Sequence, residues 1–301
     1  MIEKKLIAAT YTPLKEDSSI NLELIPTYSD FLQRNNVSGV FVNGTTGDFT
    51  SLTVDERKLI INEWATKRNE NFTVINHVGH TSLKIAKELT IHSAEKVDGI
   101  SALPPFYFKP RSLQSLLDYC KEIAACAPNL PFYYYHIPIL TGANFSMIEF
   151  LELADEQIPN LGGIKFSNND IIGLRQCYNF KAGKYAVFYG VDEMFLSSLP
   201  YGIKGWVGST YNHLAPLYHK IYEAFNNGDI SLASELQDKS VQFVQMLDAL
   251  GGFNGVGKSF MKIVGIDCGP SRYPHTTLSN KDLLEVKTQF EELNIMSYTN
   301  K

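Results

Sequence analysis

The chain has 301 residues, 44% of them apolar and 20% charged, and a formal net charge of −5. This composition excludes a fibrous or disordered protein, and the negative charge argues against binding to nucleic acid or to an anionic membrane surface. The four cysteines are scattered without a CxxC pair, so the sequence predicts neither a disulfide framework nor a zinc knuckle. It contains no signal-peptide pattern and no segment long and apolar enough to span a bilayer, from which we predict a cytoplasmic protein.

Short β-rich apolar runs alternate with helical patterns along the first part of the chain. The predicted strands are 6–11, 38–43, 72–78, 97–103, 131–136, 161–166, 185–190 and 202–208. The predicted helices are 21–35, 53–68, 81–95, 112–126, 146–155, 170–178, 192–199 and 214–226. Thr53 and Glu56 form a capping-box pattern at the start of the second helix. Eight such units predict an α/β fold, a (β/α)₈ TIM barrel, although a doubly wound sheet would show the same alternation.

After residue 228 the pattern becomes purely helical. The predicted helices there are 229–250, 256–265 and 279–293. No linker-like stretch separates them from the preceding units. We therefore predict a catalytic barrel over residues 1–225 and a C-terminal helical extension over residues 226–301.

Polar side chains follow several of the predicted strands, at the end of the barrel where functional groups usually lie. Lys165 ends an apolar run, although burying a charged lysine costs several kcal/mol, so it either reaches water or is neutral by design. Thr45 and Thr46 stand between two glycines, a turn that can present hydroxyl and backbone N–H donors to a carboxylate, or that is a plain βα turn. Tyr135 ends an aromatic strand and either points into the barrel or belongs to the core.

A lysine, a tyrosine and a carboxylate-binding turn are the groups needed for Schiff-base chemistry on a 2-keto acid. A free lysine has a pKa of about 10.4, and desolvation in a barrel mouth can lower it to about 7–8. The neutral amine is then a nucleophile, and the iminium that it forms accepts the electrons of a neighbouring C–C bond.

The sequence resembles the pyruvate-dependent aldolases that include dihydrodipicolinate synthase and N-acetylneuraminate lyase. The resemblance runs from "AATYTPL" to "GSTYN" and is carried by "NGTTGD", "YYYHIP", "GIKFS", "YGVDE" and "GSTYN". It implies a (β/α)₈ barrel with extra C-terminal helices and a reaction that requires no metal and no organic cofactor. It also implies Lys165 as the Schiff-base residue, Tyr135 as the proton-transfer residue, Thr45 and Thr46 on the substrate carboxylate, and Ser167 in the same site.

The second substrate is indicated by the segments that follow the fifth, seventh and eighth strands. Family members that use aspartate semialdehyde typically carry an arginine after the tyrosine turn, whereas this chain has "HIPILTG". Asp192, Glu193 and Ser209 offer oxygens that suit a polyhydroxylated partner, with the backbone at Gly190 close by. Asp192 and Glu193 can also be explained as charges at a helix start. Asp48 stands where the family usually has glutamate, which is a mild departure.

Within the family, the sequence motifs quoted above are most similar to those of the animal-type sialic acid lyases. This likeness implies reversible cleavage of N-acetylneuraminate, a sialic acid, to pyruvate and N-acetylmannosamine. The alternative is a pyruvate aldolase acting on another 2-keto-3-deoxy sugar acid. A non-catalytic sugar-binding barrel is a further alternative, because fold alone does not assign function.

The segment "PPFYFKP" after the fourth strand is crowded with aromatic residues, which is typical of an interface. The family resemblance implies that Tyr107 in this segment reaches a neighbouring subunit's site and that the protein is a homotetramer.

Two other motifs compete with the aldolase interpretation. Residues 252–259 satisfy the P-loop pattern, but a helix is predicted to enter the loop where a phosphate cradle needs a strand. His77 and His80 flank a strand end without a third ligand at suitable spacing, so no metal site is predicted. His136 should point away from Tyr135 if the strand is regular.

Overall fold

Eight parallel strands close into a barrel in the computed structural model, which describes residues 4–301. The strands are β1 Lys5–Ala9, β2 Gly39–Val42, β3 Thr73–His77, β4 Gly99–Ala102, β5 Phe132–His136, β6 Leu161–Phe166, β7 Ala186–Tyr189 and β8 Gly205–Gly208. Each strand pairs with the next, and β8 pairs back onto β1 with Val207 opposite Ile7. The closed order confirms the TIM barrel and excludes a doubly wound sheet.

Helices follow every strand and continue beyond the barrel. They are α1 Ile25–Arg34, α2 Val54–Ala65, α3 Leu83–Ser93, α4 Leu113–Ala124, α5 Pro138–Thr141, α6 Met147–Gln157, α7 Ile171–Asn179, α8 Phe195–Ser198, α9 Tyr211–Asn226, α10 Ile230–Ala249, α11 Lys258–Phe260 and α12 Asn280–Glu292. The predicted capping box at the start of α2 is confirmed, since Thr53 and Glu56 exchange both hydrogen bonds. None of the described helices is long and apolar enough to cross a membrane.

Two predicted helices are broken into shorter pieces. The segment predicted as 192–199 consists of two single-turn 3₁₀ helices around the four-residue α8. The segment predicted as 256–265 is a π-helical turn, Phe253–Gly257, followed by the short α11. Gly251 and Gly252, with φ of +126° and +83°, end α10 before this turn, because such backbone angles do not continue a helix.

Alternation along each strand divides the buried side chains into two layers. Outward-facing side chains such as Tyr134 pack under the helices, whereas a smaller inward-facing cluster includes Phe41, Tyr135 and Phe188. The predicted opposite orientation of His136 and Tyr135 is confirmed, because the His136 ring packs 5.2 Å from Phe166 behind the sheet. Inward-facing positions near the C-terminal strand ends therefore form the site.

The C-terminal residues complete α9. Pro216 interrupts this helix because it has no N–H to donate. The side chain of Asn300 bridges the break: its Oδ1 accepts from the N–H of Ala215 at 2.8 Å, and its Nδ2 donates to the carbonyls of Tyr211 and Asn212 at 3.0 Å. The division into residues 1–225 and 226–301 stays a prediction.

Candidate active site

Lys165 and Tyr135 lie side by side inside the barrel. They are direct partners in the parallel pairing of β5 and β6, so both side chains point into the lumen. Lys165 is only 4% exposed, and its Nζ lies 3.7 Å from the centroid of the Tyr135 ring. Nζ donates a hydrogen bond to Ser167 Oγ at 2.9 Å. The lysine therefore does not extend to bulk water, and the explanation of a snorkelling strand-end lysine is wrong.

A glycine in β6 makes this placement sterically allowed. Gly163 has φ of +148°, and a Cβ there would lie 1.8 Å from the carbonyl oxygen of Ala186 on β7. The register of β5 against β6 also shifts between Phe132 and Tyr133. Only a residue without a side chain fits this bulged position, which then directs Lys165 inward two residues later.

Gly190, at the end of β7, keeps the space beside the lysine open. A Cβ at this position would lie 2.2 Å from Ser167 Oγ and 3.3 Å from Lys165 Nζ. Any side chain here would displace Ser167 Oγ and crowd Lys165 Nζ. The absence of a side chain at Gly190 thus leaves the space that Lys165 and Ser167 occupy.

The turn after β2 places Thr45 beside Tyr135 and Thr46 on the wall of the same cavity. Thr45 Oγ1 lies 3.3 Å from the Tyr135 hydroxyl, within hydrogen-bond distance. The carbonyl of Gly47 accepts a 2.7 Å hydrogen bond from Thr12 Oγ1, which fixes the turn against the end of β1. Thr46 lines the same cavity. Both threonines thus face the cavity, and their contact with a substrate carboxylate stays a prediction.

Two carboxylates form the opposite wall. Asp192 is 5% exposed, and its Oδ2 accepts hydrogen bonds from the Thr210 backbone N–H at 3.0 Å and from Thr210 Oγ1 at 2.6 Å. Its Oδ1 and the hydroxyl of Tyr211 have no hydrogen bond of standard geometry within residues 4–301. Burial raises the pKa of Asp192, and the Thr210 hydrogen bonds oppose that shift. Burial, and then the charge of Asp192, raise the pKa of Glu193.

The carboxylates are more than helix-start charges. Neither side chain caps the 3₁₀ turn in which it stands. A Cβ at Gly208 would lie 1.8 Å from Asp192 Oδ1, so β8 leaves room for this carboxylate. Asp192 instead holds Thr210, the residue before α9. Glu193 is half-buried and is the more accessible of the two.

A cavity of about 180 Å³ brings nearly all predicted site residues together. It is lined by Ala9, Thr45, Thr46, Tyr135, Ile137, Lys165, Ser167, Gly190, Asp192, Glu193, Val207, Gly208, Ser209, Phe253 and Asn254. Tyr107 does not line it; this residue is 78% exposed, and its ring packs on Phe108 with centroids 5.0 Å apart. The structure of one chain thus assembles every predicted site residue except the one expected to serve a neighbour.

Asn254 is a site residue that the sequence analysis missed. Its side chain lines the cavity, and its Nδ2 donates to the carbonyl of Thr45 at 2.9 Å, so the segment after α10 holds the threonine turn. Asn254 lies inside the P-loop pattern of residues 252–259, in which Lys258 is the lysine of the motif. A helix, α10, enters that loop as predicted, and Lys258 Nζ donates to the carbonyl of Pro270 at 2.6 Å. The phosphate-binding interpretation is therefore excluded.

The histidines near the strand ends have structural partners. His77 Nδ1 lies 2.8 Å from the carbonyl of Asn43, and its Nε2 accepts from the N–H of Leu103 at 3.3 Å. His80 Nδ1 accepts from the N–H of Ser82 at 2.9 Å. Burial lowers the pKa of His77 well below its usual value. Across residues 4–301, no group of three or more His, Cys, Asp or Glu side chains is placed to hold a metal ion.

Comparison with known proteins identifies the family. The model of the dihydrodipicolinate synthetase family matches residues 3–293. The N-acetylneuraminate lyase of Homo sapiens is 40% identical over 299 residues, which are 98% of this chain and 93% of that protein. The N-acetylneuraminate lyase of Gallus gallus is 40% identical over 293 residues, covering 96% and 95%.

Solved structures agree with this assignment. The Proteus mirabilis N-acetylneuraminate lyase superposes with a TM-score of 0.93 at 35% identity, covering 97% of this chain and 99% of that one. The N-acetylneuraminate lyase (sialic acid aldolase) of Aliivibrio salmonicida also gives 0.93, at 37% identity, covering 98% of both chains. The chain therefore belongs to the dihydrodipicolinate synthetase family.

Proposed function

We propose that the protein is a class I carbon–carbon lyase that reversibly cleaves N-acetylneuraminate to N-acetylmannosamine and pyruvate. The observation that carries the proposal is a buried lysine, Lys165, held over the ring of Tyr135 at 3.7 Å beside the threonine turn. The relatives support the choice of sugar, because those named above are N-acetylneuraminate lyases.

The first step is formation of a Schiff base. The open-chain sugar acid places its carboxylate on the turn of Thr45 and Thr46, whose hydroxyls and N–H groups donate to it. The neutral amine of Lys165 attacks the C2 keto carbon, and loss of water leaves an iminium. Ser167 Oγ, 2.9 Å from Nζ, orients the amine for this attack.

The second step is cleavage of the C3–C4 bond. Tyr135, directly or through the substrate carboxylate, removes the proton of the C4 hydroxyl. The electron pair of the C3–C4 bond moves toward the iminium, which leaves an enamine and releases the aldehyde of N-acetylmannosamine. Protonation of the enamine at C3 and hydrolysis then release pyruvate and restore the lysine.

The hydroxylated tail of the sugar lies against the opposite wall. Glu193 and Ser209 accept and donate hydrogen bonds there, together with the backbone at Gly190. Asp192 shapes this wall and adds negative charge while its Oδ2 is held by Thr210. An oxygen-rich wall of this kind favours a long polyol over a short aldehyde.

Borohydride trapping tests the proposal directly. Incubation with pyruvate and borohydride should leave a stable adduct on Lys165, located by peptide mass spectrometry. Lys258 is a demanding internal control, because burial lowers its pKa to about 8 although it lies outside the site cavity. An adduct on Lys258 or another lysine would contradict the mechanism. Equal turnover of N-acetylneuraminate and 2-keto-3-deoxygluconate would favour the runner-up, a different pyruvate aldolase, and leave the role of Lys165 intact.

The assembly and location are proposals as well. Tyr107 and Phe108, 78% and 85% exposed, form an aromatic patch that suits a subunit contact, so we expect a homotetramer in which Tyr107 approaches a neighbour's site. Light scattering that gave a fully active monomer would contradict this. The four cysteines are unpaired, which fits a reducing compartment such as the cytoplasm.

A further inference from the structure

A second cavity lies at the opposite, N-terminal end of the barrel. It has a volume of about 550 Å³ and is bounded by the first residues of β1, β7 and β8 together with β5, β6 and the segment between α7 and β7. Within residues 4–301 it shares no lining residue with the cavity around Lys165. Nothing in the proposed cleavage reaction uses it.

Small residues at the strand starts create this space. TIM barrels normally fill their interior with layers of bulky side chains. Here Gly163 pairs with Ala186 across β6 and β7, and Gly205 follows on β8 opposite Phe188. Gly163, Ala186 and Gly205 themselves add little side-chain volume, which leaves space beneath the Phe188 ring at the starts of these strands.

Two aromatic rings separate the cavity from the active site. The rings of Tyr133 and Phe188 pack edge to face with centroids 5.4 Å apart. A Cβ at Gly162 would lie 3.0 Å from the Tyr133 ring, and a Cβ at Gly205 would lie 2.7 Å from the Phe188 ring. The glycines thus allow both rings to lie across the barrel. Tyr133 is two residues before Tyr135, so this floor lies directly below the reacting groups.

The cavity carries positive charge in a protein of net charge −5. Of the described residues that line it, Lys5, Lys184 and Lys204 are cationic and none is acidic. The ammonium group of Lys184 is neutralised by Asp155. Lys204 has no ion-pair or side-chain hydrogen-bond partner in the described part of the chain, and Lys5 has only Thr73 Oγ1 at 3.5 Å. Two ammonium groups are therefore free to bind an anion.

From this combination we infer that the N-terminal cavity is a second binding site, for a small organic anion with a flat apolar body. Aromatic surface from Tyr133, Tyr178 and Phe188 would hold the apolar part, while Lys5 and Lys204 would pair with the anionic group. The site is independent of the proposed lyase activity, and its ligand binds without displacing the keto acid from Lys165.

The probe for the test is 1-anilinonaphthalene-8-sulfonate, whose fluorescence rises on transfer to an apolar site. We expect saturable binding to the full-length protein, with the same Kd before and after the active site is blocked by the reduced pyruvate adduct. N-phenyl-1-naphthylamine, which has the rings but no sulfonate, should bind at least about tenfold more weakly, because a charge-assisted hydrogen bond is lost.

Three variants locate the binding. Ala186→Leu fills the cavity from an exposed strand position and should abolish saturable binding. The double variant Lys5→Met/Lys204→Met should weaken sulfonate binding by about tenfold or more and leave the neutral probe unaffected. Lys281→Met removes an exposed lysine on α12, far along the chain from the cavity, and should change neither Kd. In all three variants, the circular dichroism spectrum and the rate of sugar cleavage should equal those of the unmodified protein.

Loss of sulfonate binding on blocking Lys165 would overturn the inference, because the probe would then occupy the active site. An unchanged Kd in Ala186→Leu would overturn it as well, since binding would lie elsewhere on the surface. Equal weakening by Lys281→Met would show that only the overall charge matters. The comparison with the blocked enzyme requires the pyruvate adduct, whereas the Ala186→Leu and lysine variants test the cavity without it, so failure of the borohydride test would leave the cavity proposal testable.

Discussion

The Nζ of Lys165 lies 3.7 Å from the ring centroid of Tyr135, and the two residues are paired across β5 and β6. The nucleophile and the proposed proton-transfer group are therefore positioned by backbone pairing between two strands. Strands hold side chains more rigidly than loops do. This rigidity favours a reaction in which both groups must act on the same substrate molecule. The tyrosine ring also shields the lysine from water.

Tyr135→Phe separates the two roles of this tyrosine. The phenylalanine ring keeps the surface under Lys165 but removes the hydroxyl near Thr45. We expect the borohydride adduct with pyruvate to form almost normally, while kcat for sugar cleavage falls by about 10²–10⁴-fold. Tyr134→Phe is the matched control, because its hydroxyl is buried behind the sheet without a partner in the described chain. Comparable losses in both variants would contradict the role of Tyr135.

Gly190→Ala tests whether the site depends on empty space beside the lysine. The added Cβ would lie 2.2 Å from Ser167 Oγ, so the serine and then Lys165 must move. A displacement of this kind is worth about 10²-fold in rate. Gly190→Ala/Ser167→Ala removes the closer contact and should recover part of the lost cleavage rate. If the double variant is slower than the single one, steric pressure is not the cause.

Asn254→Ala tests the contact between the C-terminal segment and the threonine turn. Loss of the 2.9 Å hydrogen bond to the Thr45 carbonyl should loosen the turn and raise the KM of the keto acid by about 2–10-fold, with kcat less affected. Ser259→Ala is the control in the same segment. Its hydroxyl accepts from the N–H of Leu278 and donates to the Gly255 carbonyl, so its loss should lower Tm without changing KM.

Glu193→Gln tests sugar recognition and its pH dependence. Ionised Glu193 accepts hydrogen bonds from sugar hydroxyls, so at neutral pH the variant should lose about 10–150-fold in kcat/KM for sugar cleavage. Because burial raises the pKa of Glu193, the carboxylate gains its proton at a higher pH than an ordinary glutamate as pH falls. KM for the sugar should therefore rise early on the acid side in the unmodified enzyme.

The pH profile distinguishes this role from a structural one. In Glu193→Gln the acid-side rise of KM should disappear, because no proton is gained at that position. Borohydride trapping of pyruvate should be unchanged, since pyruvate does not extend to this wall. A parallel fall of trapping and cleavage would mean that Glu193 supports the lysine instead of the sugar.

Arg272→Met tests the anchoring of the C-terminal segment. The guanidinium of Arg272 binds both oxygens of Glu56 on α2, at 2.8 and 2.5 Å, and holds the pKa of that carboxyl below its usual value. The folded-state pKa is thus lower than the unfolded one, so the pair stabilises the protein above the unfolded value and this stabilisation is lost as pH falls. The variant should lose about 1 kcal/mol of unfolding free energy at pH 7, measured by denaturant titration.

The same measurement at successively lower pH provides the internal control. Protonation of Glu56 removes the pair from the unmodified protein too, so the difference from Arg272→Met should shrink. Lys281→Met, which breaks an exposed pair with Glu285, should have little effect at either pH. A constant difference across the pH range would attribute the loss to the hydrogen bonds of Arg272 to the carbonyls of Ser18 and Ser51 instead of to its pair with Glu56.

The barrel and most of its site were predictable because strand periodicity determines orientation. Lys165 and Tyr135 stand at strand ends, and alternation together with the barrel geometry assigns both to the lumen. Asn254 could not be found in this way, because the segment after α10 has no repeating relation to the barrel. Its position results from tertiary docking, through contacts such as Arg272 with Glu56, that involve residues more than 200 positions apart.

The short helical turns around α8 show a second limit of prediction from the sequence. Apolar spacing predicted one continuous helix over 192–199, but the chain forms three short turns there. Asp192 is engaged with Thr210 across the barrel mouth, and Pro200 and Gly202 follow closely. The spacing of apolar residues in this segment cannot predict that Asp192 is hydrogen-bonded to Thr210, 18 positions later.

The Asn300 bridge connects a residue far from the barrel in sequence to the helix at the barrel's seam. Without the Asn300 side chain, the N–H of Ala215 and the carbonyls of Tyr211 and Asn212 lack the partner that spans the proline break. Each buried polar group left without a partner costs about 1–3 kcal/mol. The helix that follows the last strand therefore depends on a side chain 85 positions later than Ala215, and loss of that side chain would destabilise the closed barrel from its seam.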